Sequence, residues 1–193
     1  MANHPDLLLL FQRAQAQITD RVDAVRPGGW DVEALPGWSV ADLVAHLTAE
    51  QLRVAPLLAG GAPDDVRGRI PTRTEDLLGD DPLGSWEAAA DEALAAWADP
   101  DVLTRTVRLT SGPVPASDHL VASITDLVVH AWDLAQATGG VTALDADLVD
   151  AALVDAERRL GADGVPGLVA PPVTVDGSAD RQTRLLARYG RRS

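Results

Sequence analysis

The stretch DLVVHAWDLA, Asp126 to Ala135, sets two carboxylates and a histidine among Leu, Val, Ala and Trp. From Val121 through Gly140 the chain offers neither arginine nor lysine. A buried, unpaired carboxylate is strongly unfavourable, so acids in apolar surroundings are normally paired with a cation or bound to a metal. Turning about 100° per residue from Asp126 puts Asp133 near −20° and His130 near 40°, while Leu120, Ile124, Leu127 and Leu134 fall between about 80° and 160°. The segment therefore reads as an enclosed helix with one narrow polar edge.

Asp126 and His130 are four residues apart and project side by side from a helix. They supply two ligands for a divalent cation and require a third from elsewhere. His46 is the best candidate, since it flanks the apolar stripe of another helix, whereas His4 lies at the N-terminus and His119 near the start of the Asp126 helix. Two histidines and one carboxylate leave coordination positions open to water or substrate, as catalytic sites do. The alternative is an Asp126–His130 ion pair with His46 as a core histidine bonded to a backbone carbonyl. Glu50, one turn after His46, reads as a support for that histidine, a general base or a solvated acid. Asp133 reads as a group that orients His130 or caps a backbone amide, not as a first-choice ligand.

The elements that would position these residues are helical. Leu7, Phe11, Ala14, Ile18, Val22 and Val25 recur at spacings of three and four, which predicts a helix over Asp6–Val25. Ser39 with Asp42 three residues on predicts a capped start to a second helix over about Val40–Leu58, with Trp38 stapled onto Leu43. Gly60 to Pro82 has no clear period and reads as a long connection. A third helix is predicted over about Leu83–Ala98, and the alternating TRTVRLT, Thr104 to Thr110, as a brief extended segment. The helix that carries Asp126 is predicted over about Ser117–Thr138, stopped at Gly139-Gly140, and a shorter one over about Ala146–Leu160. Trp38, Trp86, Trp97 and Trp132 read as core or staple residues, and the closing DRQTRLLARYGRR as a solvated basic end. The expected fold class is all-α: a four-helix bundle with long connections and a short C-terminal helical extension, one domain over 1–193 with its core at about 5–140 and the extension at about 141–193.

Composition narrows the function classes. With 46% hydrophobic residues and a mean hydropathy of +0.00, the chain should fold. Sixteen basic residues, all arginine, against 29 acidic ones leave a net charge of −13, which repels phosphate backbones and argues against nucleic acid as a partner. Cysteine is absent, so any thiol in the chemistry comes from outside. The run LLLLF is too short to span a bilayer and the HPD before it lacks the basic lead of a signal peptide, so no membrane partner and a cytoplasmic location are expected.

The segment GWSVADLVAHL, followed some eighty residues later by DLVVHAWDLAQATG, resembles the motif pair of the mycothiol-dependent maleylpyruvate isomerase metal-binding domain, within the DinB-like four-helix superfamily. DPLGSWEAAADEAL, VAPPV and RLLARYGRR also resemble an actinobacterial-type group of metal-binding proteins in this family, so the likeness runs over nearly the whole chain. It implies that His46, Asp126 and His130 are metal ligands, with Glu50 and Asp133 as supporting candidates. The implied ion is divalent, zinc first, with nickel, iron and manganese as alternatives. In the isomerase branch the carboxylate is typically glutamate, and Asp126 is one methylene shorter. Those isomerases also carry a separate C-terminal domain, where this chain has only about fifty residues after the Asp126 helix.

The function expected from the resemblance is that of a metal-dependent thiol transferase or isomerase: mycothiol or a similar thiol is the cosubstrate, a small electrophile the second substrate, and a homodimer is left open. Two other classes stay open. One is a non-catalytic metal- or ligand-binding bundle in stress response; the other is ferrous oxygen chemistry, which the same ligand set can serve.

Overall fold

Leu7, Phe11, Ala14, Ile18 and Val22 all turn inward from α1 (His4–Asp23), as their spacing dictates, and each is at most 8% exposed. The computed structural model describes residues 4–161, 164–165 and 169–192, apart from the side chains of His4 and Pro5. A short hairpin, β1 (Glu33–Leu35) and β2 (Trp38–Ser39), leads into α2 (Val40–Leu58). The predicted cap is present in both directions: Ser39 Oγ accepts from Asp42 N at 3.1 Å, and Asp42 Oδ2 accepts from Ser39 N at 3.0 Å.

The Gly60–Pro82 connection, whose conformation its sequence leaves unread, is partly helical. It contains two single-turn helices, α3 (Pro63–Arg67) and α4 (Thr74–Leu78). Five residues are too few to display a helical period, so no pattern could announce them. Thr74 Oγ1 donates to Asp42 Oδ1 at 2.7 Å, tying α4 to the start of α2.

The bundle is completed by α5 (Pro82–Trp97) and α6 (Ala116–Thr138), joined by a 3-10 turn at Pro100–Thr104 and an antiparallel hairpin of β3 (Thr106–Leu109) and β4 (Gly112–Pro115). Helix α2 packs on α5 and α1 on α6, with α1 also against α5 and α2 against α6. Trp86 and Trp97 are fully buried and Trp132 nearly so. Polar ties cross this core, among them one in which Gln15 Nε2 donates to Gln51 Oε1 at 2.9 Å and to Ala90 O at 2.8 Å, which joins α1, α2 and α5.

The extension consists of α7 (Ala146–Arg159), packed on α6, and α8 (Arg181–Arg188), packed on α7. Asp155 of α7, 2% exposed, accepts from Thr125 Oγ1 of α6 at 3.1 Å and from Arg159 Nε at 2.6 Å. Among the described residues, no helix is long and apolar enough to cross a membrane.

Candidate metal centre

Two facing helices build the site. Helix α2 presents His46, and α6 presents Asp126, His130 and Asp133 along its polar edge. His130 Nε2 lies 3.4 Å from Asp126 Oδ1, and His46 Nε2 lies 3.9 Å from Asp126 Oδ2. The two imidazoles meet nearly perpendicularly, with ring centroids 5.6 Å apart. One donor atom from each of the three residues lies within 4.8 Å of the others. The residues that the sequence singled out from positions 46, 126 and 130 thus come together across the bundle.

The three differ in exposure. The His130 side chain is 12% exposed, while that of Asp126 is 43% exposed and opens into a cavity of about 430 Å³. The same cavity is lined by His46, Leu109 and His119, and by Arg159 and Tyr189 of the extension. Burial pushes the His46 pKa down, against the pull of the Asp126 carboxylate, so its ring is neutral near pH 7. For His130, burial is outweighed by the Asp126 and Asp133 carboxylates, which raise its pKa to about 9. Asp126 itself is held below the ordinary carboxylate range: burial opposes its charge, but His130 and His46 prevail.

The supporting candidates part ways. Asp133 is 1% exposed, and its Oδ2 lies 2.9 Å from His130 Nδ1, the orienting position expected for it. Glu50 lines the same cavity but pairs with Arg53 on its own helix. His119 lines the cavity as well, with its ring tilted 57° to that of Trp97 at 5.8 Å between centroids and its pKa lowered by burial. Trp38, expected to staple onto Leu43, is 40% exposed and sets its ring edge-on to His46 at 5.3 Å between centroids.

One expectation fails outright. The closing arginines are not merely a solvated end: Arg191 reaches Asp133 with Nε at 3.1 Å and Nη2 at 2.7 Å. The counter-charge that the α6 segment lacks locally is supplied, for Asp133, from 58 positions away. Sequence reasoning missed Arg191, Arg159 and Tyr189 because their neighbourhood is created by the packing of α7 and α8 on α6. The available signals were a buried aspartate in need of a cation and a glycine, Gly190, placed to end a helix just before an arginine.

Comparison with known proteins adds to this geometry. The family described as "Mycothiol maleylpyruvate isomerase N-terminal domain" matches residues 4–135. Two uncharacterized proteins from strains of Mycobacterium tuberculosis are each 31% identical over 159 residues, which is 81% of this chain and 80% of theirs. The crystal structure of the mycothiol-dependent maleylpyruvate isomerase superposes with a TM-score of 0.62 at 20% identity, covering 81% of this chain and 70% of that one. A mutant of that enzyme superposes equally well at 18% identity. At those identities the likeness to the solved structures is one of fold.

Proposed function

The chain belongs to the mycothiol maleylpyruvate isomerase N-terminal domain family, and from that premise we propose that it is a divalent-metal protein, zinc being the first choice of ion, that joins an external mycothiol-type thiol to a small electrophile as a transferase or isomerase. The observation that carries this reading is the convergence of His46, Asp126 and His130 donor atoms within 4.8 Å at the wall of a cavity. The donor set suits such an ion: a neutral imidazole at His46, a second imidazole whose other nitrogen faces a carboxylate, and an ionised Asp126. When bound, a divalent cation lowers the pKa of a thiol that meets it and favours the thiolate.

The chain's own residues do the rest. Three donors from two helices leave room for an outside ligand, and no fourth histidine, cysteine or carboxylate joins the group among the described residues. The cavity admits a small molecule beside the open face of Asp126. Leu57, Leu109 and Leu160 shield part of it from water, while Arg53 and Arg159, each paired with a carboxylate, and the acids Glu50 and Asp126 make up its charged lining. With no cysteine in the chain, the sulfur belongs to the cosubstrate.

Metal analysis of purified variants tests the ligand set. His46→Ala, Asp126→Ala and His130→Ala are each expected to abolish stoichiometric metal binding, while His4→Ala and His119→Ala keep it. Retention of metal by His130→Ala would refute the assignment. The thiol reading is tested by adding mycothiol to cobalt-substituted protein and by assaying turnover with a panel of electrophiles. An unchanged cobalt spectrum and no turnover would leave a non-catalytic metal-binding bundle in its place.

A further inference from the structure

A carboxylate as deeply buried as that of Asp133 is costly without compensating partners. It has one on each side. His130 Nδ1 lies 2.9 Å from Oδ2. Arg191 approaches from the other side, donating from Nε to Oδ1 and from Nη2 to Oδ2, a two-point clasp that fixes the plane of the carboxylate as well as its charge. The third arm of the guanidinium is also occupied, since Nη1 donates to Tyr189 O at 2.7 Å.

The backbone delivers this arginine through a specific turn. Helix α8 ends at Arg188 with Tyr189 as its cap, and Gly190 follows in the left-handed region at φ +76°. Gly190 N donates to Ala187 O at 3.1 Å and Arg191 N to Leu186 O at 2.9 Å, the paired bonds of a Schellman end. A Cβ on Gly190 would sit 2.7 Å from Ala170 Cβ, so the turn is packed against the loop before it as well as wound tightly. Arg191 therefore points where the fold of the extension directs it.

We propose that Arg191 is a positioning residue for the metal centre: by clasping Asp133 it keeps the His130 proton on Nδ1 and turns Nε2 towards Asp126 and His46. A carboxylate that accepts the Nδ1 proton leaves Nε2 as the lone-pair donor and fixes the ring about its own axis. An Asp133 free to rotate would hold the ring less firmly and would let its two nitrogens exchange roles. The consequence reaches across the molecule: Arg191 lies outside the family-matched residues 4–135, yet it governs a ligand within them. The effect on metal affinity rests on the metal reading given above; the control of the ring does not.

The test uses the full-length chain and two independent readouts. In metal-free protein, at an alkaline pH chosen where the ¹⁵N shifts themselves show a neutral His130 ring, those spectra report which nitrogen carries the proton. Zinc affinity is then measured by competition with a chelator near neutral pH. The wild type is expected to hold the proton on Nδ1. Arg191→Ala is expected to give a mixture of tautomers and to bind zinc about tenfold more weakly, and Arg191→Lys, which restores charge without the fork, to fall between. Nδ1 protonation and wild-type zinc affinity in Arg191→Ala would overturn the proposal. Should Arg191→Ala fail to fold, Arg191→Lys decides: wild-type zinc affinity overturns the proposal, and a severalfold loss supports it. If the wild type binds no zinc but its tautomer is scrambled in Arg191→Ala, the metal reading falls and the positioning role stands. Zinc binding with the same tautomer in every variant has the opposite meaning.

Discussion

His46 and His130 face one carboxylate from opposite helices, yet the two halves of the site are built on different principles. On α2, His46 stands beside the exposed ring of Trp38, and burial keeps its imidazole neutral. On α6, His130 is the middle of a charged chain that runs from Asp126 through His130 and Asp133 to Arg191. The α2 half is an open wall with an imidazole set into it. The α6 half is an ion-pair network whose last member comes from the far end of the sequence. Such a site is expected to have one adaptable side and one rigid side, as the proposed metal centre would need to admit a ligand without losing its own geometry.

The two halves should respond very differently to loss of a carboxylate. Asp133→Ala leaves His130 and Arg191 facing each other without their shared anion in a site that is nearly closed to water. Breaking a buried pair in this manner typically costs about 3–5 kcal/mol. Glu50→Ala removes an acid from the α2 side that is partly exposed and pairs with Arg53 of its own helix, and such changes usually stay within about 0.5 kcal/mol. Urea unfolding of the metal-free variants measures both. Similar losses for the two would mean that the α6 network is not the rigid side.

The difference between the halves also explains what was legible in the sequence. The bundle helices announce themselves because a repeat of three and four residues needs only a helix and an apolar partner to become a buried face. His46, Asp126 and His130 were legible through chemistry, as polar groups on apolar faces. Asp133 was legible as a problem, a buried acid without a cation, but its solution was not. Arg191 reaches it only after α7 has packed on α6 and α8 on α7, and no local spacing encodes that sequence of contacts. Helices α3 and α4 escaped for a simpler reason, since a single turn has no period to read.

The two histidines should also give opposite pH dependences in metal-free protein. His46 has a folded pKa below its unfolded value of about 6.5, so the unfolded chain binds more protons and stability falls as pH drops through that range. His130 has its folded pKa raised to about 9, so its contribution is fully present below about 6.5 and is lost as pH rises through about 9. A single group of this kind changes stability by at most about 1.4 kcal/mol per pH unit. Unfolding midpoints of the wild type should therefore fall between about pH 6.5 and 9, and His130→Gln should flatten that limb. His46→Phe should leave it intact and weaken the decline on the acid side. A His130→Gln variant with the wild-type alkaline limb would assign that limb to another group.

The smallest expected contrast concerns two glycines that end helices in the same left-handed conformation. Gly139 closes α6 at φ +68°, and a Cβ there meets nothing within 4 Å. Gly139→Ala should cost about 1 kcal/mol, the conformational term alone. Gly190 closes α8 at φ +76°, but its added Cβ would meet Ala170 Cβ at 2.7 Å and Pro171 O at 3.1 Å. Gly190→Ala should cost about 2 kcal/mol, because the loop must shift as well as the turn. The more telling result lies at the metal centre: Gly139→Ala should leave zinc affinity unchanged, whereas Gly190→Ala should weaken it by displacing Arg191 from Asp133. Titration of both variants with a chelator as competitor separates a turn that only ends a helix from one that also aims a side chain at the site. Equal zinc affinities for the two would detach the extension from the α6 half of the centre.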